Sequence, residues 1–185
     1  MSTPAHAEGF AEFLAGTSVP AGDSDWTKLA DPSPKLAARG GAMSGQLGGM
    51  VGVDWTPVNL DNGGGSFGLG SANGSAHRFR VIASAVFRHV LTPKITLSAR
   101  AGGGLDIAHA SIDITVLGST TTNSDTDLGY GFDFGAGIWF DIGPTQLGFE
   151  LAVPIAHHNK DAQQIGDPAF HYTSVDLDLL FAVRL

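Results

Sequence analysis

The chain has 185 residues and no cysteine, so it is long enough for one domain with a sizeable core, and disulfide frameworks and thiolate metal sites are excluded. Its ten lysines and arginines stand against 18 aspartates and glutamates, and the formal net charge of −8 argues against a nucleic-acid partner. No run of about 18 apolar residues occurs, which excludes a transmembrane helix.

Apolar residues at every second position predict the first strand at about Gly9 to Pro20, with Glu12 on its polar face. The next segment, Ala21 to Ala42, is rich in charges and prolines and is predicted to be a long polar loop. A second alternating run predicts a strand at about Met43 to Thr56, and Thr56-Pro57 is expected to end it.

The weakest pattern follows at Asn59 to Ala76, where glycine, asparagine and serine clusters favour turns. An even strand count requires one strand here, and we place a short one at Val58 to Gly70. Clear alternation returns in His77 to Leu91 and in Ile95 to Ile107, which predicts two strands joined by a tight turn at Thr92 to Lys94.

Alternation is strictest in the last third of the chain, which predicts three strands separated by one short turn and one long loop. The strands are Leu128 to Ile142, Gln146 to Ala156 and Val175 to Leu185. Polar segments at Asp113 to Thr126 and His157 to Phe170 are predicted to be long loops. Long connections therefore alternate with short ones along the chain.

Alternation by itself does not say which face meets water, so a soluble lipocalin-like barrel with an apolar core remains an alternative. Three features favour a membrane-spanning barrel. The polar face is mostly glycine, alanine and serine; the four lysines all fall in predicted loops or turns; and aromatic residues lie toward strand ends, as in interfacial girdles. The lysines are Lys28, Lys35, Lys94 and Lys160, and the aromatics are Trp55, Phe87, Tyr130, Phe140 and Tyr172.

The favoured fold is thus an all-β, closed, antiparallel, eight-stranded transmembrane barrel. Eight strands leave an interior just wide enough for side chains to fill it. Charges on the inward face must pair, because an unpaired buried charge costs several kcal/mol. We predict a lumen ion-pair network that plugs the barrel, with a narrow channel as the alternative; its members are Glu12, Arg80, Arg88, Arg100, Asp106, Asp133, Glu150, Asp176 and Asp178.

These strands, the rhythm of short and long connections, and the ending Val175 to Leu185 resemble the small eight-stranded outer-membrane barrels of the OmpA/OmpX type. The resemblance covers about Gly9 to Leu185 and leaves residues 1–8 as an N-terminal extension. It implies an up-and-down meander with short periplasmic turns and long extracellular loops in a bacterial outer membrane. The ending resembles the signal read by the barrel assembly machinery, although Leu185 stands where the family has an aromatic residue.

The resemblance also implies contact with the lipid bilayer and with lipopolysaccharide, and an unknown protein partner at the extracellular loops. Family members serve as anchors, adhesins, narrow channels or lipid-modifying enzymes, so the resemblance has little functional specificity. The first residues, Met1 to Ala7, lack the positive and apolar regions of a signal peptide. We therefore expect that a signal peptide has been removed from this chain.

His109 and Ser111 form the strongest enzymatic candidate, because they share a strand face and resemble the histidine and serine of outer-membrane lipid A deacylases. A serine nucleophile needs a base and a group that orients the base. Asp125 or Asp127 would have to supply the orienting carboxylate, and no glutamate lies on the expected face. We interpret His109 as an interfacial histidine near a loop, without a catalytic role, and we predict that the protein is not an enzyme.

A metal site is considered in the third loop, where nitrogen and oxygen ligands are concentrated in His157, His158, Asp161, Asp167 and His171. Adjacent residues of a strand point in opposite directions, so the histidine pair is a poor ligand set. We predict no metal and no cofactor. The favoured function is a structural or surface-interaction role carried by the extracellular loops.

Overall fold

The computed structural model describes residues 7–22, 31–60, 70–158 and 170–185. They form eight antiparallel strands, each paired with the next, and β8 pairs with β1 to close the barrel. The predicted eight-stranded meander is therefore confirmed. The strands are β1 (Glu8–Ala21), β2 (Ser33–Ser44), β3 (Leu47–Leu60), β4 (Gly70–Thr92), β5 (Ile95–Val116), β6 (Ser119–Ile142), β7 (Thr145–His158) and β8 (Phe170–Arg184).

The residues that the structure describes include no helix long and apolar enough to cross a membrane.

The strands tilt strongly relative to the barrel axis. One ladder of paired residues leaves β1 at Ala11 and returns to β1 at Ala21, ten residues further along. It passes through Gly40, Val51, Ala83, Gly103, Phe132, Ile155 and Thr173. Ten residues of stagger over eight strands correspond to a tilt of roughly 40°. Each strand crossing therefore raises the ladder by about 1.25 residues.

The two ends of the barrel differ. Short turns at Gly45–Gln46, Pro93–Lys94 and Gly143–Pro144 mark one end, which we call the turn end. The connections from β1 to β2, β3 to β4 and β7 to β8 lie at the opposite end, the loop end, together with the tip of the β5–β6 hairpin.

The outside of the barrel wall is apolar and the inside is charged. Phe132, Phe149 and Leu177 point outward and are more than half exposed, at 53%, 59% and 57%. Their chain neighbours Asp133 and Asp178 point inward and are buried. A soluble barrel has the reverse arrangement, with an apolar interior. This distribution excludes the lipocalin-like alternative and identifies a barrel that spans a membrane.

The predicted loop at Ala21 to Ala42 is wrong in its second half, because Ser33–Ser44 form β2 and pair with both β1 and β3. The outward face of β2 is built largely from small residues and its inward face carries Lys35 and Arg39. The sequence therefore shows no apolar alternation there. The predicted strand from Met43 to Thr56 joins the end of β2, the turn at Gly45 and most of β3 into one element.

The short strand predicted at Val58 to Gly70 is also wrong. Residues 58–60 belong to β3, Gly70 opens β4, and 61–69 lie outside the described residues. Thr56-Pro57 does not end β3, because Pro57 pairs with His77 and the ladder continues to Leu60. The strand missing from the sequence-based count is β2.

The loop predicted at Asp113 to Thr126 is a paired hairpin. β5 and β6 stay in register up to Val116 opposite Ser119 and are joined by Leu117 and Gly118. Both linking residues have positive φ, 52° and 82°, as the two-residue turns of twisted hairpins require. Both faces are solvent-exposed at the tip, so the polar composition there does not exclude strands. The third predicted loop is shorter than expected, because β7 ends at His158 and β8 begins at Phe170.

Candidate functional site

The part of the lumen nearest the turn end holds one ion pair, whose cation packs against two aromatic rings. The Arg88 guanidinium donates to the Glu12 carboxylate. Its Cζ lies 4.4 Å from the ring centre of Phe10 and 5.1 Å from that of Trp139. The Trp139 indole donates in turn to Ser98 Oγ at 3.0 Å. A cation over aromatic faces gains further stabilisation when it is shielded from water.

The next level is built around Glu150 on β7. Its Oε1 accepts from Arg39 Nη1 at 2.9 Å and from Arg100 Nη2 at 2.8 Å. Arg100 also extends its Nη1 to Asp133 Oδ2 at 2.9 Å. Gly135 makes room for this guanidinium, since a Cβ there would lie 2.9 Å from Arg100 Nε. One carboxylate therefore accepts hydrogen bonds from two cations, on β2 and β5, and Asp133 supplies a second carboxylate to Arg100.

The middle of the lumen holds two cations shared among several carboxylates. Arg80 Nη2 lies 2.6 Å from Asp54 Oδ2 and 3.4 Å from Asp176 Oδ2. Lys35 Nζ lies 2.8 Å from Asp176 and 2.7 Å from Asp178. A 3.9 Å approach of Arg80 to Asp133 joins this level to the one below. The pairs thus form a continuous chain across the centre of the barrel.

A fourth group lies toward the loop end. The Arg78 guanidinium donates to the Asp106 carboxylate and lies over the Tyr172 ring, with Cζ 3.7 Å from the ring centre. His158 Nε2 is 3.1 Å from Asp106 Oδ1, and His158 Nδ1 is 3.3 Å from Asp127 Oδ2. The imidazole therefore bridges carboxylates of β5 and β6 at the last position of β7.

The structure places all nine residues of the predicted lumen network inside the barrel, each within 4.0 Å of an oppositely charged side chain. Further partners were not in that prediction: Lys35, Arg39, Asp54, Arg78 and His158. Asp54 on β3 and Arg78 on β4 occupy the alternate positions that face inward, so the sequence pattern was sufficient to place them in the lumen. Lys35 and Arg39 were missed because β2 was predicted to be loop.

Lys35 lies in β2, so the prediction that all four lysines fall in loops or turns is wrong for this residue. Its side chain is fully buried and contacts three carboxylates, those of Asp54, Asp176 and Asp178. Within the described residues the lumen network has six lysines and arginines against eight aspartates and glutamates, the eighth being Asp127 beside His158. Ions that are buried this deeply are destabilising unless each keeps its partner.

The predicted interfacial aromatics divide into two groups. Phe87, Tyr130 and Phe140 point outward and are 41%, 51% and 38% exposed, and Trp55 is half-buried on the same surface. Tyr172 does not belong with them. It is 2% exposed, and its hydroxyl lies 3.2 Å from Ser18 Oγ inside the barrel.

The enzymatic candidate pair is not assembled into a triad. His109 Nδ1 is hydrogen-bonded to Thr126 Oγ1 at 2.8 Å, so a hydroxyl occupies the position where a carboxylate would orient the base. Ser111 lies opposite Ser124 in the register. Asp127 contacts His158 in the lumen rather than His109.

The two adjacent histidines of the considered metal site lie on opposite faces of the barrel wall. His158 points into the lumen, whereas His157 lies on the outer surface with its ring centre 5.2 Å from that of Tyr130. Asp161 and Asp167 lie outside the described residues. In the part of the chain that the structure describes, no three metal-ligating side chains are grouped.

No protein-family model and no curated protein matches this chain. Solved structures do match. Neisserial surface protein A has a TM-score of 0.56 at 16% identity, over 97% of this chain and 99% of its own. A major outer membrane protein from Thermus thermophilus has a TM-score of 0.53 at 16% identity, over 96% and 99%. At these identities the similarity shows the fold, which is that of small eight-stranded outer-membrane barrels.

Proposed function

We propose that this chain is a bacterial outer-membrane barrel that does no chemistry, whose lumen is closed by ion pairs and whose extracellular hairpin serves a structural or surface-interaction role. The turn end faces the periplasm and the loop end faces the outside, as in outer-membrane barrels with short periplasmic turns. The observation that carries the proposal is the chain of ion pairs that runs across the lumen from Arg39 to Asp178.

Closure of the lumen is supported by the pairing of its buried charges. Arg80, Arg100 and Lys35 each contact two or more carboxylates, and none of these side chains is more than 4% exposed. An ion crossing the barrel would have to separate pairs that the low-dielectric interior holds tightly. We expect no discrete single-channel currents from the protein in planar bilayers. Regular currents that change in Arg100→Ala would instead establish a narrow channel.

A role at the cell surface is supported by the β5–β6 hairpin. Its ladder continues from Ala110 to Val116 and from Ser119 to Asp125 at the loop end, beyond the apolar outer belt. A long projecting strand pair carries main-chain and side-chain groups to a partner without disturbing the wall. Its carboxylates, Asp113 and Asp125, favour a basic or cation-bridged partner.

The topology is tested by inserting an epitope tag between Leu117 and Gly118 and a matched tag between Pro93 and Lys94. We expect antibody to label the first tag on intact cells and the second only after the outer membrane is permeabilised. In detergent, the tagged and untagged proteins should migrate faster on SDS gels before boiling than after it. Labelling of both tags on intact cells, or of neither, would contradict the proposed orientation.

The alternative that His109 and Ser111 hydrolyse lipid A has its own test. Purified, folded protein is incubated with lipid A, and released fatty acid is measured for the parent chain and for Ser111→Ala. We expect no release from either protein. Release by the parent that is abolished in Ser111→Ala would replace the proposed function with hydrolysis.

A further inference from the structure

Three histidines lie at one level on the outer surface of the loop end. His77 on β4 is the direct cross-strand partner of His109 on β5. His157 on β7 pairs with Tyr130, whose partner on β5 is Leu105. Because the ladder climbs about 1.25 residues per strand, two crossings bring His157 to within about two residues of the His109 level. The three side chains therefore fall within about 4–5 Å along the barrel axis.

This level coincides with the upper edge of the apolar belt. Immediately below it on the outer surface are Phe79, Leu105 and Tyr130, which are 42%, 52% and 51% exposed. Above it on the same outward face of β5 are Ser111, Asp113 and Thr115. The change from apolar to polar outward residues marks the boundary of the hydrocarbon, where lipid phosphate groups are found.

The histidines are the only outward-facing groups at this level, among the described residues, that can become cationic. Six of the eight lysines and arginines that the structure describes line the lumen, and the other two, Lys94 and Arg184, lie at the turn end. Outer-leaflet phosphates are anionic. Among the described residues, the outward-facing groups at the level of these phosphates that can attract them by charge are protonated imidazoles.

Two of the histidines have contacts that orient their rings. Thr126 Oγ1 holds His109 Nδ1 at 2.8 Å, which leaves Nε2 directed away from this bond. His77 stacks on Trp55 with ring centres 6.2 Å apart and planes 14° apart. Directly opposed residues have Cβ atoms about 4.5–5.5 Å apart, so one phosphate group can contact both rings.

We propose that His77, His109 and His157 form a histidine girdle that binds anionic phosphate groups of outer-leaflet lipids when the imidazoles are protonated. The inference rests on the outer-membrane location proposed above. The outward partners of His77 are Pro57 on β3 and His109 on β5, and those of His109 are His77 and Thr126. In the backbone register, His157 pairs with Tyr130 on β6 and with residue 171 on β8.

Of three carboxylates near the girdle in the described residues, Asp113 shares its outward face and Asp125 and Asp127 do not. Asp125 adjoins Thr126 along β6 and belongs to the opposite face of the strand, and Asp127 turns inward to His158. Asp113 lies four residues beyond His109 on β5 and accepts from Thr122 Oγ1 at 2.6 Å. Protonation of the imidazoles therefore adds positive charge at a level where the neighbouring outward residues are apolar or uncharged.

Trp55 provides a local reporter, because a protonated imidazole stacked on an indole quenches its fluorescence. The protein is inserted into phosphatidylcholine vesicles with and without lipid A, and its emission is titrated from about pH 8 to about pH 5. The titration of His77→Gln supplies the baseline. We expect lipid A to move the midpoint of quenching upward by about one pH unit.

Two matched variants separate specific binding from the general attraction of an anionic surface. His109→Gln removes the direct partner of His77 and should reduce the lipid A shift at least by half. His89→Gln changes an outward histidine at the turn end, stacked on Phe87, and should leave the shift intact. The same titration is repeated in phosphatidylcholine vesicles that lack lipid A, with inorganic phosphate added to the buffer. This sample tests whether the phosphate group must belong to a lipid.

An unchanged midpoint with lipid A would overturn the inference, as would an equal shift in His109→Gln and His89→Gln. A full shift from inorganic phosphate alone would overturn the assignment to lipid. Boiled and unboiled samples from the same vesicles report on the barrel itself. A heat-dependent mobility shift without a lipid effect rejects only the girdle, whereas absence of the mobility shift rejects the proposed outer-membrane barrel.

Discussion

The barrel wall and the tip of the β5–β6 hairpin are made from the same two strands, yet their faces have opposite polarity. In the wall, Leu105 points outward and is exposed, whereas Asp106 points inward and is buried. Toward the tip, the positions of β5 that continue the inward face are apolar, and Ile114 and Val116 are 44% and 50% exposed. The positions that continue the outward face are polar, as at Asp113 and Thr115. The alternation of side chains continues while the polarity of each face reverses.

The difference shows what alternation in a sequence does and does not report. Period two reports a strand wherever it occurs. Which face is apolar depends on the surroundings: lipid outside and ion pairs inside for the wall, and water on both sides for the hairpin. The wall therefore requires that its buried charges stay paired and its strands stay closely packed, whereas the hairpin depends on its turn and its ladder.

The largest expected effect is loss of Arg80 from the wall. In Arg80→Met, Asp54 and Asp176 keep buried carboxylates without this cation, and we expect the free energy of unfolding to fall by about 3–5 kcal/mol. The measurement is denaturant unfolding of the protein in detergent micelles, followed by gel mobility. Arg184→Met is the matched control, because its side chain is 53% exposed and its pair with Asp141 contributes about 1 kcal/mol or less.

A double variant tests whether the stability lost in Arg80→Met comes from the carboxylates left unpaired. Adding Asp54→Asn to Arg80→Met removes one of the stranded charges and should recover part of the lost stability. Equal losses in Arg80→Met and Arg184→Met would show that the interior charges are hydrated, and the contrast between wall and surface would then fail.

A smaller effect is expected from close packing between neighbouring strands. A Cβ added at Gly104 would lie 1.9 Å from the carbonyl oxygen of Val81 and 2.9 Å from the Ile82 Cα, so the β4–β5 ladder must shift. We expect Gly104→Ala to lower the free energy of unfolding by about 1–3 kcal/mol. Gly40→Ala, whose nearest neighbour is the Phe10 carbonyl oxygen at 3.8 Å, should be nearly neutral in the same denaturation assay.

The smallest effect is expected in the hairpin. Leu117 has φ of 52°, a conformation that asparagine adopts more readily than leucine. Leu117→Asn should slow amide hydrogen exchange near the tip by a factor corresponding to about 0.5–1 kcal/mol, and the denaturation midpoint of the barrel should stay unchanged. A comparable change in global stability would show that the tip and the wall unfold as one unit.

Most of the wall was predictable from the sequence because lipid imposes apolar residues on every second position. β6, β7 and β8 carry large outward side chains such as Phe134, Phe149 and Leu179, and their pattern is unambiguous. β2 has alanine and glycine outward at Ala38, Gly40 and Ala42 and charges inward, so only its length and pairing in the fold identify it. A lipid-facing surface tolerates small residues, and hydrophobic periodicity is weak there.

The candidate site shows the same limit. Once a strand was recognised, parity sufficed to place Arg100, Asp133 and Glu150 inside, since inward charges in a narrow barrel must meet partners. Tyr172 was assigned by its residue type to the interface, although its parity with Asp176 and Asp178 places it inside. That the three outward histidines share one level follows from the register between strands, and no local sequence pattern contains this information.

In the membrane-spanning fold described above, lipid covers the outside of the wall and water covers the hairpin. The chain has no cysteine, so a spin label can be attached at a single introduced cysteine at Leu177 in the wall or at Thr122 in the hairpin. With the protein in vesicles, we predict that oxygen relaxes the label at Leu177 while a water-soluble nickel complex does not, and that nickel relaxes the label at Thr122. Relaxation by nickel at Leu177 would contradict the account.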